Sequence, residues 1–205
     1  MKTLSALILS LGLLLSGLPT QAQDAQSDMA RLFENVNAIA QELQQSLEGL
    51  EASIQESHNS IEKGSEVLDG MLESVRKVHE NIAEDSQIWK DLESLLALWE
   101  QRRQESLKKS ESNPAFVPIA QAWQTRLETG RKLRSQISTQ RANSLALLRT
   151  IEADREIVLA YYELGQADKA IEGLKQVSEK LANLNENMQA IVKTASEARQ
   201  VPIAP

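Results

Sequence analysis

The chain has 205 residues, with 22 Lys and Arg against 29 Asp and Glu, a net charge of −7 at neutral pH. It contains no cysteine, which excludes disulfides, thiol catalysis and thiolate metal sites. The length suits one domain with a continuous core, and the acidic balance argues against nucleic acid as a partner.

The first residues have the layout of an export signal. Lys2 precedes an apolar core, Leu4–Leu18, and Pro19 then leads to small residues at Thr20 and Ala22. The core is 15 residues long, short of the roughly 20 that span hydrocarbon. Cleavage after Ala22 is expected, with no cysteine nearby for a lipid anchor. Residues 23–205 are then periplasmic or secreted.

From Met29 onward the apolar residues step by three and four: Leu32, Val36, Ile39, Leu43, Leu47, Leu50 and Ile54, then Leu68, Met71, Val75, Val78, Ile82, Trp89, Leu92, Leu96 and Trp99. That is the spacing of a coiled-coil seam. Its exceptions are Ser57, Gly64, Asp85, Arg103 and Ser106. Pro114 and Pro118 end the run, because neither fits a helix interior. A second run follows from Ile119 through Trp123, Leu127, Gly130, Leu133, Ile137, Leu148, Ile151, Val158 and Tyr162, and Gly165 stops it. A third runs from Asp168, read as an N-cap, through Leu174, Leu181, Met188 and Ile191, and residues 201–205 form a tail.

The expected fold is therefore all-α, an antiparallel coiled-coil bundle of three to four long helices. It forms a single domain over 23–200, with helices at about 28–63, 65–109, 118–164 and 168–199. Folding the first two runs about the proline loop pairs seam positions whose numbers add to 226. Large residues then meet small ones: Leu96 faces Gly130 and Gly64 faces Tyr162, as interdigitated layers require. The third run packs on the second with numbers adding to about 332. Residues 28–63 admit two arrangements. Either the helix runs straight through Gly64 as an overhang, offering its seam for self-association, or Lys63–Ser65 is a turn and the bundle closes with four helices.

Residues 24–100 carry 17 acidic and 5 basic side chains, whereas 101–155 carry 5 and 11. The basic run Arg126, Arg131, Lys132, Arg134, Arg141 and Arg149 falls level with Glu100, Glu93, Asp85 and Glu73, so neutralisation between helices explains it without a ligand. Asp85 and Arg141 fall opposite each other as a candidate buried pair that fixes register.

Ala160, Tyr161, Gly165, Ala170, Ile171 and Val177 resemble the middle of a tetratricopeptide repeat. The resemblance implies two helices packed closely across a tight glycine turn. It covers residues 160–177, under a tenth of the chain, and no second copy appears at the 34-residue period, so the stretch reads as a bundle corner.

No catalytic, cofactor or metal site is legible. His58 and His79 are 21 residues apart, about 31 Å along one helix, and read as solvated. No nucleophile elbow or phosphate loop occurs. The candidate interaction site is the hairpin tip, where Trp99, Arg103 and Trp123 lie near Phe116 and Val117 in the proline-stiffened loop. The expected function is that of an exported, non-enzymatic protein that acts through protein partners, as a scaffold or adaptor in the cell envelope. A holdase-type periplasmic chaperone and a small-molecule-sensing bundle are the alternatives. Contact of the tip with a membrane surface is compatible with this pattern.

Overall fold

The structure, a computed structural model, describes the backbone of residues 19–200 and the side chains of 27–200. The expected signal, except for its last four residues, and the 201–205 tail lie outside the described residues. All the regular structure described is helical: α1 (Pro19–Glu48), α2 (Leu50–Glu56), α3 (Ile61–Asn81), α4 (Gln87–Ser110), α5 (Val117–Glu163) and α6 (Ala167–Gln200). They form an all-α bundle of four antiparallel arms. The first arm is α1 and α2, the second α3 and α4, and the third and fourth are α5 and α6. Each arm packs on the next in chain order, and α1 closes the ring against α6.

The 3–4 spacing explains the packing, since it keeps one apolar stripe facing inward along each arm. Leu32, Val36, Leu68, Val75, Ile82, Leu92, Leu133, Ile137, Ile151, Leu174 and Met188 are all closed to solvent. Small-against-large layers set the register. A Cβ on Gly130 would sit 2.7 Å from Leu96 Cδ2 and 2.9 Å from Trp99 Cζ3, and one on Gly64 would run into the Tyr162 ring. Polar ties join the arms at mid-height: Gln140 Nε2 donates to the Leu184 carbonyl at 2.7 Å and Asn185 Nδ2 to Gln44 Oε1 at 2.6 Å.

The reversal between the first two arms lies six residues before the expected turn at Lys63–Ser65. Ser57–Asn59 form one 3₁₀ turn, and Ser60 is extended (φ −146°, ψ 112°), its side chain accepting from Lys63 N at 3.2 Å. Ser and Asn favour caps because their side chains offer the backbone an alternative to the helix. Gly64 lies inside α3, so its missing side chain makes room for Tyr162 rather than a turn. Neither the 28–63 nor the 65–109 helix exists as drawn. The seam of 28–56 is buried within the chain itself, at Leu32, Val36, Leu43, Leu50 and Ile54, and is not an overhang open to a second copy.

The second arm is also broken, at residues 82–86. Ser86 caps α4 by accepting from Trp89 N at 3.2 Å, and both halves pack along α5. At the α5–α6 corner Gly165 has φ +67°, a left-handed backbone that glycine adopts at little cost. Asp168 is not the cap of α6. Ala167 already begins the helix and Asp168 lies exposed in its first turn, while the Gln166 carbonyl receives the Lys169 and Ala170 amides.

The two turns at this end are tied together. The fully buried Ser57 hydroxyl donates to the Ile54 carbonyl at 2.7 Å and accepts from the Tyr162 hydroxyl at 2.8 Å. Tyr162→Phe removes one hydrogen bond without opening a cavity. The expected cost is about 1 kcal/mol in urea unfolding, and a variant as stable as the parent would show that the tie contributes nothing.

Candidate functional site: the hairpin tip

The tip connects α4 to α5 through a short loop, residues 111–116. The last turn of α4 is closed by Asn113 N donating to the Lys109 carbonyl at 3.0 Å. Asn113 is extended, and its Oδ1 accepts from Ala115 N at 3.0 Å. Pro114 then begins a single 3₁₀ turn, and Pro118 sits in the first turn of α5. In these positions a fixed φ is pre-organised and the missing N–H costs nothing. The loop is held by covalent geometry and side-chain capping, not by burial.

The structure separates the five tip residues expected from the sequence. Trp99 is 1% exposed and Trp123 9%, so both belong to the core. The Arg126 guanidinium lies 5.1 Å from the Trp123 ring centroid, and its burial pushes its pKa down. Arg103 is half-buried and pairs with Glu100 at 2.6 Å. Hydrogen bonds from Arg103 and then Gln104 hold the Glu100 carboxyl below its ordinary range. Phe116 is half-buried beneath Lys109, whose Nζ lies 5.5 Å from the ring centroid. Of these five only Val117 presents an apolar side chain to solvent, at 43% exposure; Leu107, in the last turn of α4, is likewise exposed at 40%. Leu107 falls one position past the seam at Ser106, outside the pattern that marks candidate contact residues. That offset was itself the signal that it faces outward.

Asp85 and Arg141 do not form the expected buried pair. Asp85 is exposed and Arg141 pairs with Glu84. The break at 82–86 is the reason, since it ends the 100° per residue rotation on which the alignment rested. Of the other expected neutralising pairs, Arg131 lies 3.5 Å from Glu100 and Arg134 pairs with Glu93, but Lys132 reaches Glu197 of α6, Glu73 pairs with its neighbour Arg76, and Arg149 makes no ion pair among the described residues. His79 is not free in solvent. It is half-buried, with Nδ1 2.9 Å from Ser144 Oγ. Ser144 Oγ also donates to the Arg141 carbonyl at 2.8 Å, so this hydroxyl links His79 of α3 to the backbone of α5.

The sequence reading also missed the link that pins the first arm to the second. Arg31 Nε and Nη2 both donate to the buried Asp91 carboxylate, each at 3.0 Å, and Gln87 Nε2 donates to it at 2.7 Å. Burial raises the Asp91 pKa, but hydrogen bonds from Arg31 and Gln87 and the Arg31 charge outweigh it, and the net shift is downward.

Among the described residues no three His, Asp or Glu side chains converge to hold a metal ion, and no described helix is long and apolar enough to cross a membrane. The clefts along the described helices are shallow inter-helix grooves, one of them running between α1 and α3 past Ile39, Leu43, Ser74 and Val78. No family model, curated protein or solved structure matches the chain.

Proposed function

We propose that this is an exported, non-enzymatic interaction protein, a scaffold or adaptor of the cell envelope that docks a protein partner on its hairpin tip. The observation that carries the reading is the exposure of Leu107, in the last turn of α4, and Val117, the first residue of α5, on either side of a loop that two prolines and the Asn113 cap already hold in one shape. Pre-ordering of this kind lowers the entropy lost on binding. Lys108 and Lys109 flank the apolar pair and supply a polar rim that would select an acidic partner surface.

The test is site-specific photo-crosslinking from position 117 in envelope preparations, paired with the double variant Leu107→Lys/Val117→Lys. The expected result is one or two fixed protein adducts, lost in the double variant, with melting unchanged within about 2 °C because both sites are surface positions. A broad smear of unfolded clients would favour a holdase instead. A ligand-dependent melting shift without adducts would favour a sensor. No adduct and no shift would remove the tip from consideration.

A further inference from the structure

α5 is apolar on two opposite faces. One is the core face already described. α3, α4 and α6 all pack toward that side, and no described element covers the other. Three of the six large apolar side chains most exposed in the described chain lie on this outer side: Leu145 at 38%, Ile157 at 54% and Leu164 at 68%. Ile157 and Leu164 fall in a series spaced by threes and fours, at 142, 146, 149, 153, 157, 160 and 164. The remaining members are Ala142, Ala146, Arg149, Ala153 and Ala160, all exposed. That is seam spacing on a face the bundle itself does not use.

We infer that this face docks a second copy of the chain, with the two α5 helices antiparallel about a two-fold axis near Ala153. Charge complementarity argues for a copy over an unrelated helix. Arg149 and Glu156 lie seven residues apart on this same side, and neither makes an ion pair among the described residues. An antiparallel two-fold at Ala153 sets each Arg149 beside the Glu156 of the other copy, so one face supplies both halves of two ion pairs. Size also matches. Leu164 falls opposite Ala142, Ala146 opposite Ala160, and Ile157 opposite the aliphatic stem of Arg149. Such self-complementarity is what a two-fold interface requires.

The overlap spans residues 142–163 of α5, about 33 Å of helix, with Leu164 in the turn just beyond it, and covers on the order of 1,000 Å² in total. That is the lower limit for a specific interface, so the dimer is weak and concentration-dependent. An end-to-end arrangement would use a bundle end only about 20 Å across, roughly two helix diameters, and would cover less. The arrangement has a consequence for the molecule. The two tips lie about 54 Å to either side of the axis and point in opposite directions, roughly 108 Å apart, so the dimer presents one docking tip at each end of a strut.

The inference does not depend on the tip binding anything. It is tested by sedimentation velocity of the purified protein from about 1 to 300 μM. The expected result is a monomer–dimer equilibrium in the micromolar range. Arg149→Glu and Glu156→Arg should each weaken it about 10-fold by setting like charges together. The double reversal Arg149→Glu/Glu156→Arg should restore it to within about 3-fold of the parent, because coupling of paired charges is recovered when both are exchanged. Ala153→Glu should give a monomer with unchanged circular dichroism and melting, which separates lost association from lost folding. A parent that stays monomeric throughout would overturn the proposal. So would a dimer indifferent to both single reversals, or one broken by Leu107→Lys/Val117→Lys but not by Ala153→Glu.

Discussion

Gly130→Leu is expected to destabilise the protein by about 3 kcal/mol, lowering its melting temperature by roughly 6–12 °C for a chain of this size. Gly130 is buried in the interior of α5, where glycine is otherwise a poor choice, about 1 kcal/mol worse than alanine. Its side-chain space is already occupied. A Cβ alone would come within 2.7 Å of Leu96 Cδ2 and 2.9 Å of Trp99 Cζ3. Leu96 is half-buried and can rotate aside, but Trp99 is enclosed and its ring has nowhere to go. For Gly130→Ala the gain in helix propensity offsets much of the overlap, and the net change is expected within about 2 kcal/mol of zero. Leucine adds three further carbons with no space for them. The substitution should therefore shift Trp emission as well as melting, and Leu96→Ala in the same background should recover part of the loss because it vacates the nearer contact. A Gly130→Leu protein that melts within 1 °C of the parent would mean that α4 and α5 are not held at this separation.

The same glycines show where sequence reasoning succeeds and where it stops. Burial on a helix repeats at a fixed period, so the inward-facing stripes can be read from the spacing of Leu, Ile and Val, but the same unbroken spacing left open whether residues 28–63 fold back as a fourth arm. Register can also be read, because a glycine in a seam of large residues must face something large, and Gly64 and Gly130 do. A glycine in a helical sequence nevertheless has two explanations, a reversal of the chain or a close neighbour. At Gly64 the turn reading was wrong because the reversal had already been made by Ser57–Ser60, whose caps are weaker sequence signals than a glycine. The break at 82–86 had a similar consequence. Glu84 and Asp85 are adjacent in sequence but about 100° apart around a helix, and once the helix is interrupted the spacing no longer says which one reaches Arg141. Trp99 and Trp123 lie near the loop in sequence but are buried in the core rather than presented at the tip, because a large aromatic at a seam position is read the same way whether it packs inward or stands at the surface. Least legible of all was Arg31–Asp91. It joins residues 60 apart, and Asp91 adjoins the seam position Leu92 without any local pattern to mark it as buried.

That pair yields the prediction with the clearest dependence on pH. The Asp91 carboxyl is buried, yet its pKa is below the ordinary carboxylate value because Arg31 and Gln87 hydrogen bonds and the Arg31 charge overcome desolvation. A group whose folded pKa is depressed stabilises the fold above its unfolded pKa, near 4. That contribution is lost as pH falls through the lower folded value. Arg31→Met keeps most of the side-chain stem and removes the two donors and the charge. Burial then dominates at Asp91, its folded pKa moves above the unfolded one, and the ionised form becomes the unfavourable one at neutral pH. Arg31 is half exposed, which moderates the loss relative to a fully enclosed pair. A drop of about 4–8 °C in melting temperature at pH 7 is expected. The difference between parent and variant should shrink steadily as pH is lowered toward 4, where Asp91 in the variant takes up its proton and no longer needs a partner. In the Arg31→Met background, Asp91→Asn should remove this pH dependence, since the amide keeps the shape and cannot ionise. A parent–variant difference that is constant from pH 7 to pH 4 would show that Asp91 is not the group left uncompensated, and that α1 is held to α4 by its apolar seam alone.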